Sequence, residues 1–176
     1  EYNLTGGKRG WVGDSPYVHL DTNKAKQYGW KPKVSIEESI RNLFYHVSMW
    51  FAMVAMMAGS FAYSIAFLRR ENLQADTRTE ALTETGMLFA FLGLFSGMIW
   101  ARFTWGAWWT NDPTLNGSAI TILIYLAYFI LRNGIEDERK KARISAVYNI
   151  FAFVMMIVFI GILPRMTDSL HPGNGG

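Results

Sequence analysis

Two histidines and a run of tryptophans hold most of the chemistry available to this sequence. His46 stands in "RNLFYHVSMWF" and His171 in "DSLHPGNGG". Between them, "FTWGAWWTNDP" at residues 103–113 brings Trp105, Trp108 and Trp109 close together, with Gly106 among them, and then turns polar at Asn111 and Asp112. A neutral imidazole is a metal ligand, and an indole presents a large flat apolar face. If the segment is helical, the three tryptophans fall at i, i+3 and i+4 and share one face. The set suits the binding of a flat, metal-bearing apolar ligand and offers nothing for covalent catalysis. There is no cysteine, which excludes a disulfide framework, a thiolate metal site and a C-x-x-C-H attachment motif.

These residues need elements to carry them. The chain has 176 residues and is 51% hydrophobic, yet residues 1–41 are polar and the apolar residues gather after Leu43. Four apolar runs follow: Leu43–Leu68, Gly86–Ala101 with Leu82 as an extension, Leu115–Leu131 and Ile144–Leu163. A bilayer core takes about 20 apolar residues of helix, with a lower limit of about 17. The outer two runs meet this and the inner two are marginal. With so few charges inside them, they read as membrane spans rather than as core helices of a soluble domain.

Charge then orients the connections. The segment 69–81 carries Arg69, Arg70 and Arg78, and the segment 132–143 carries Arg132, Arg139, Lys140, Lys141 and Arg143. The tryptophan loop has only Arg102, and the tail only Arg165. The positive-inside rule puts the first two segments in the cytoplasm. Crossing parity puts the start of span one, the tryptophan loop and the tail together on the other face. The net charge of +3 is too dispersed for nucleic-acid binding.

Parity therefore delivers His46, "WGAWWTND" and His171 to one side. An ionisable residue inside an apolar span is costly and marks a functional site. An aromatic belt explains one or two tryptophans per interface, not three followed by Asn111 and Asp112. Haem is a flat ligand that fits the set. Its iron takes a neutral imidazole from each side, while Arg102 or Arg165 pairs with the propionates and the tryptophans form a platform.

From about Ile40 onward the sequence resembles the cytochrome c maturation protein C family, also called haem exporter C. The resemblance is carried by "RNLFYHVSMWF", "GMIWARFTWGAWWTNDP", "LNGSAITILIYLAYFILR" and "ARISAVYNIFAF", leading to "DSLHPGNGG". The family's tryptophan motif reads W-G-x-W-W-x-W-D. Trp105, Gly106, Trp108, Trp109 and Asp112 match it, and Asn111 stands where the last tryptophan is expected. The resemblance implies that His46 and His171 are the axial ligands of a non-covalently bound haem b. It implies a multi-pass protein of the bacterial inner membrane with its site on the periplasmic face. The implied partners are a haem chaperone and the subunits of an ATP-binding-cassette (ABC-type) complex, with membrane lipid around and no nucleic acid. The family pattern also carries a further helix before the one bearing His46 and another after His171.

Residues 1–40 read differently. "GWVGD", "LD", Lys24 and "GWKP" resemble the C-terminal tail of nucleotide-sugar epimerases of the extended short-chain dehydrogenase class. That class's Tyr-x-x-x-Lys and glycine-rich cofactor loop are absent from the sequence, so no hydride chemistry is expected. "VHLDTNKAKQYGWKP" predicts a short strand, a capped helix starting near Asp21 and a Gly/Pro stop. Ser35 and Glu38 stand in capping-box spacing. Lys8, Arg9, Lys24, Lys26, Lys31, Lys33 and Arg41 lie on the wrong side for the positive-inside rule, which sets this segment apart from the bundle.

The expected architecture is an all-α membrane protein of four transmembrane helices over residues 41–176, preceded by a short soluble α/β-like appendage over residues 1–40. The expected function is haem binding and delivery in c-type cytochrome maturation, without enzyme activity. The alternatives are a non-functional fusion fragment carrying an epimerase tail, and a generic permease subunit. With no helix to anchor it, the tail around His171 is expected to float. Ordering it costs about 1–2 kcal/mol per residue fixed, so His46→Ala is expected to abolish haem retention and His171→Ala only to weaken it.

Overall fold

Asn72, Asp112 and Asp137 decide where three of the long helices begin. Each side chain accepts a backbone N–H from the first helical turn: Gln74 at 2.9 Å, Thr114 at 2.9 Å and Lys140 at 2.8 Å, which satisfies donors a helix start leaves orphaned. The computed structural model describes residues 23–29, 36–167 and 169–171. It divides into two units, residues 1–35 and residues 36–176.

In the first unit a single short helix is described, α1 (Asn23–Gln27). It ends where Gly29 takes φ +81° and donates its N–H to the Lys26 carbonyl, a left-handed stop that favours glycine. The expected helix and stop are therefore present here. The expected strand, and the capping box built on Ser35, fall outside the described residues.

The second unit is the bundle: α2 (Ile36–Arg70), α3 (Leu73–Thr104), α4 (Pro113–Asn133), α5 (Glu138–Met156), a π-helical segment (Ile157–Ile162) and α6 (Leu163–Met166). Ile36–Ile40, placed by sequence with the appendage, are the first residues of α2. Four helices are long and apolar enough to cross a membrane: Leu43–Arg70, Leu73–Thr104, Pro113–Asn133 and Glu138–Met166. Large apolar side chains such as Phe44, Phe51, Phe95, Leu123 and Ile130 point outward, as they do where lipid is the solvent.

Two expectations about lengths change. The second span is not marginal, and the segment 69–81 is not a loop. Only Glu71 and Asn72 separate α2 from α3. The polar residues "LQADTRTEALTET" wind the first turns of α3 and bury Asp76, Thr79 and Thr83, so the hydropathy minimum marks a polar interior. The connection after α4 is likewise short, running from Gly134 to Asp137.

Between apolar helices in lipid, association rests on close packing and interhelical hydrogen bonds, since burial removes no water. Both are visible. Along α3, the small residues Gly86, Ala90, Gly93, Gly97 and Ala101 lie inside the bundle. Rings and thioethers of α2 fill this seam: a Cβ on Gly86 would meet Met57 Cε at 2.9 Å, one on Gly93 the Trp50 indole at 3.1 Å, and one on Gly97 His46 Cε1 at 2.8 Å. Met53, Met57, Met87 and Met156 fill the middle of the core.

Toward the α2–α3 turn the interior becomes polar. Asn149 donates to Ser60 at 2.8 Å and to Ser64 at 2.9 Å, and Ser60 shares a 2.6 Å hydrogen bond with Thr83. Beyond it Arg132 forks onto Asp76 (2.9 and 2.7 Å) and Glu80 (2.8 and 2.9 Å). A guanidinium in a bundle interior is tolerable only with its donors met, and here α3 supplies two carboxylates to α4.

The last span changes winding at Ile157–Ile162. Pro164, just beyond, has no N–H to continue an α-helical ladder. Gly117 of α4 sits against the Phe159 backbone, so closely that a Cβ there would overlap the carbonyl.

Candidate functional site

At the end of the bundle where α2 and α4 begin and α3 ends, the first histidine is held by α3. His46 Nδ1 lies 3.0 Å from the Gly93 carbonyl and 3.1 Å from Ser96 Oγ. The Ser96 hydroxyl itself donates to the Gly93 carbonyl at 3.0 Å, so its oxygen is left to accept. Both neighbours of Nδ1 are acceptors, which places the proton on Nδ1 and leaves the Nε2 lone pair unused. This is how a backbone carbonyl selects the tautomer of a metal-ligating histidine. The absence of a side chain at Gly97 is what lets the ring lie against α3, and Trp50 one turn later meets it edge-on at 6.2 Å.

The second histidine is held by Asp112. His171 Nδ1 lies 3.1 Å from Asp112 Oδ1, an atom that also accepts the Thr114 and Leu115 N–H groups as the N-cap of α4. The other carboxylate oxygen accepts the Ser169 hydroxyl at 2.8 Å and the Leu170 N–H at 2.7 Å. Asp112 is 2% exposed. Burial alone would raise its pKa, but the Leu170, Ser169 and Thr114 donors, with His171 beside it, hold it below the usual carboxylate value. With Nδ1–H donated to the carboxylate, His171 again presents Nε2. Its ring meets Trp105 edge-on at 5.3 Å and Trp100 at 6.3 Å.

The expected floating tail is thus a correction. Ser169, Leu170 and His171 are clasped to the start of α4, and the entropic case for ranking His171 below His46 falls with it.

Both imidazoles line one cavity of about 440 Å³. Its walls are mostly apolar: Leu43, Val47, Trp50, Phe51 and Val54 from α2, Leu94 and Trp100 from α3, Leu115 from α4 and Ile160 from the π-helical segment. On the α3 side Gly93 and Gly97 line it where they seat the Trp50 and His46 rings, and Arg165 reaches the wall from α6. Arg165 donates to the Gly161 carbonyl, and no carboxylate among the described residues pairs with it. Arg102 donates to the Gly106 carbonyl instead and does not line the cavity.

The tryptophan segment is not helical. α3 ends at Thr104, Trp105 closes it by donating its N–H to the Ala101 carbonyl, and Gly106 turns the chain at φ +79°. The i, i+3, i+4 face therefore does not form. Trp105 packs on Trp100 at 5.3 Å and on His171. Trp108 and Trp109 stay exposed outside the cavity wall. Asn111 has its own work: it accepts from Asn116 at 2.7 Å, and Asn116 accepts the Trp109 indole N–H at 3.2 Å.

Sequence reasoning missed Trp50, Trp100, Gly93 and Gly97. A signal existed for three of them. Trp50 is one helical turn from His46, and Gly93 and Gly97 are spaced i, i+4 as in close helix pairs.

A largely apolar cleft lined by two imidazoles, each with its Nδ1 engaged, suits a flat metal macrocycle, and a cation at the wall suits acidic groups on its edge. Residues 28–173 match the family described as Heme exporter protein C. The match begins within residues 1–40, the segment expected from sequence to be a separate appendage, and so takes the last part of that segment into the same family. The chain is similar to Heme exporter protein C of Bradyrhizobium diazoefficiens, 32% identical over 110 residues, 62% of this chain and 41% of the relative. It is similar to Heme exporter protein C of Paracoccus denitrificans, 24% identical over 135 residues, 77% of this chain and 56% of the relative. It is also similar to the Cytochrome c biogenesis protein CcsA of Prochlorococcus marinus, 34% identical over 98 residues, 56% of this chain and 30% of the relative. The chain thus spans from under a third to a little over half of these relatives.

Proposed function

The chain belongs to the Heme exporter protein C family, and from that premise we propose that it binds haem non-covalently in the membrane and hands it on during c-type cytochrome biogenesis. His46 and His171 are the iron ligands, each through Nε2. The observation that carries this reading is that one cavity is lined by both imidazoles, each tied by Nδ1 to a fixed acceptor.

In this reading haem is cargo. The wall of Trp50, Phe51, Leu94 and Trp100 takes up the apolar macrocycle and keeps water from the iron. Arg165 receives a propionate. Trp105 braces His171 edge-on, and beyond the turn at Gly106 the exposed faces of Trp108 and Trp109 form a lip where a haem chaperone docks. Asp112 orients His171 without touching the cargo. The site lies on the periplasmic face of a bacterial inner membrane, because the arginine- and lysine-rich turns lie at the other end. An ABC-type complex is the partner on the supply side. No residue is assigned a catalytic role.

Haem titration of the purified chain in detergent tests the ligand set. A low-spin spectrum typical of two imidazoles is expected, and His46→Ala and His171→Ala should each lose it. A chain that stays colourless after reconstitution, or both variants keeping the low-spin spectrum, defeats the reading.

A further inference from the structure

At the end of the bundle away from the cavity, a second cleft of about 190 Å³ opens between the last turns of α2 and the first turns of α5, lined by Phe67, Glu71, Arg139, Lys140 and Arg143. Both elements are at a span boundary here, since one span ends at Arg70 and the last begins at Glu138. Phe67 is buried within the span, whereas Arg139, Lys140 and Arg143 are exposed at the rim. The cleft has an apolar floor and a cationic mouth.

Its charge is unbalanced. Glu71, turned by a left-handed φ of +49°, reaches Arg143 at 3.4 Å with both side chains more than half exposed, a pairing of the weak surface kind. Lys141 is occupied by Glu138 at 3.1 Å. Arg139 and Lys140 have no ion-pair partner among the described residues.

We propose that this cleft binds the phosphate of an anionic phospholipid, with Arg139, Lys140 and Arg143 around the headgroup and an acyl chain running along α2 past Phe67. Guanidinium groups match phosphate oxygens in a fork, and basic pockets between spans at the membrane surface suit anionic headgroups. An apolar floor has no use for a free phosphate ion. A lipid tail does, and lipid is the phosphate source at this depth.

The test uses the full chain in neutral detergent, with thermal unfolding and native mass as readouts. Dioleoyl phosphatidylglycerol, dioleoyl phosphatidylcholine and inorganic phosphate are added in separate arms. Phosphatidylglycerol should raise the unfolding temperature and remain bound in the mass spectrum, and the other two should do neither. The R139Q/K140Q/R143Q variant should bind phosphatidylglycerol more weakly by on the order of tenfold or more, whereas R69Q/R70Q, which removes charge from the same end outside the cleft, should keep it. K140Q alone, which removes no arginine fork, should show a smaller loss, and it serves where the triple variant does not fold. Equal stabilisation by phosphatidylcholine, equal loss in R69Q/R70Q and the triple variant, or full reproduction by inorganic phosphate would each overturn the site.

Discussion

Asp112 accepts from two helix-start amides, one hydroxyl, one tail amide and one imidazole. Its lowered pKa gives the pH behaviour a sign. A carboxylate depressed on folding stabilises the docked tail fully above the ordinary carboxylate value, and that contribution is lost as pH falls through the lower, folded value. The tail should therefore stay docked through mild acid and release only below the usual carboxylate range. Asp112→Asn should imitate the acid form at neutral pH, with proteolysis of the tail accelerated and haem affinity lowered as in His171→Ala. Unchanged protection in Asp112→Asn would show that the clasp does not depend on the charge. That both histidines come to one end of the bundle was legible from crossing parity. The clasp was not, because Asp112 and His171 are 59 residues apart and no local spacing announces them.

The small-residue seam of α3 is the element-scale feature on which the site depends. Gly97 gives His46 its place, and a Cβ there would come within 2.8 Å of the ring carbon next to Nε2. Gly97→Ala should therefore displace the imidazole and weaken haem binding at least as much as a wall substitution such as Val54→Ala. Helix content and oligomer profile should be unchanged, because one methyl group at a span end leaves the rest of the seam intact. Circular dichroism beside haem titration checks the two halves, and full affinity with Ala at 97 would show that α3 yields instead of His46. Helix existence was readable from hydropathy, and the start of α3 was not. Its first turns hide Asp76, Thr79 and Thr83 toward Arg132 and Ser60, so a polar stretch that resembles a loop is an interior. The tryptophan face was misread for a related reason: Gly106 needs a left-handed φ, and that ends the helix the spacing assumed.

For the whole molecule, four antiparallel spans place the turn after Arg70 and the segment after Met166 at opposite ends. Because the sequence has no cysteine, single cysteines at Arg70 and Thr167 give a clean labelling experiment in intact and opened vesicles. Opposite accessibility is expected, and labelling of both from one side would remove the topology. α4 ties these ends together. At its first turn Asp112 grips the tail and His171, and at its last Arg132 is forked onto Asp76 and Glu80 of α3. Its 21 residues make a rod about 30 Å long at 1.5 Å per residue. A rod gripped at both tips is held in register with α3 at one surface and with the tail at the other, so sliding α4 along its axis would have to break the Arg132 fork and the Asp112 clasp together.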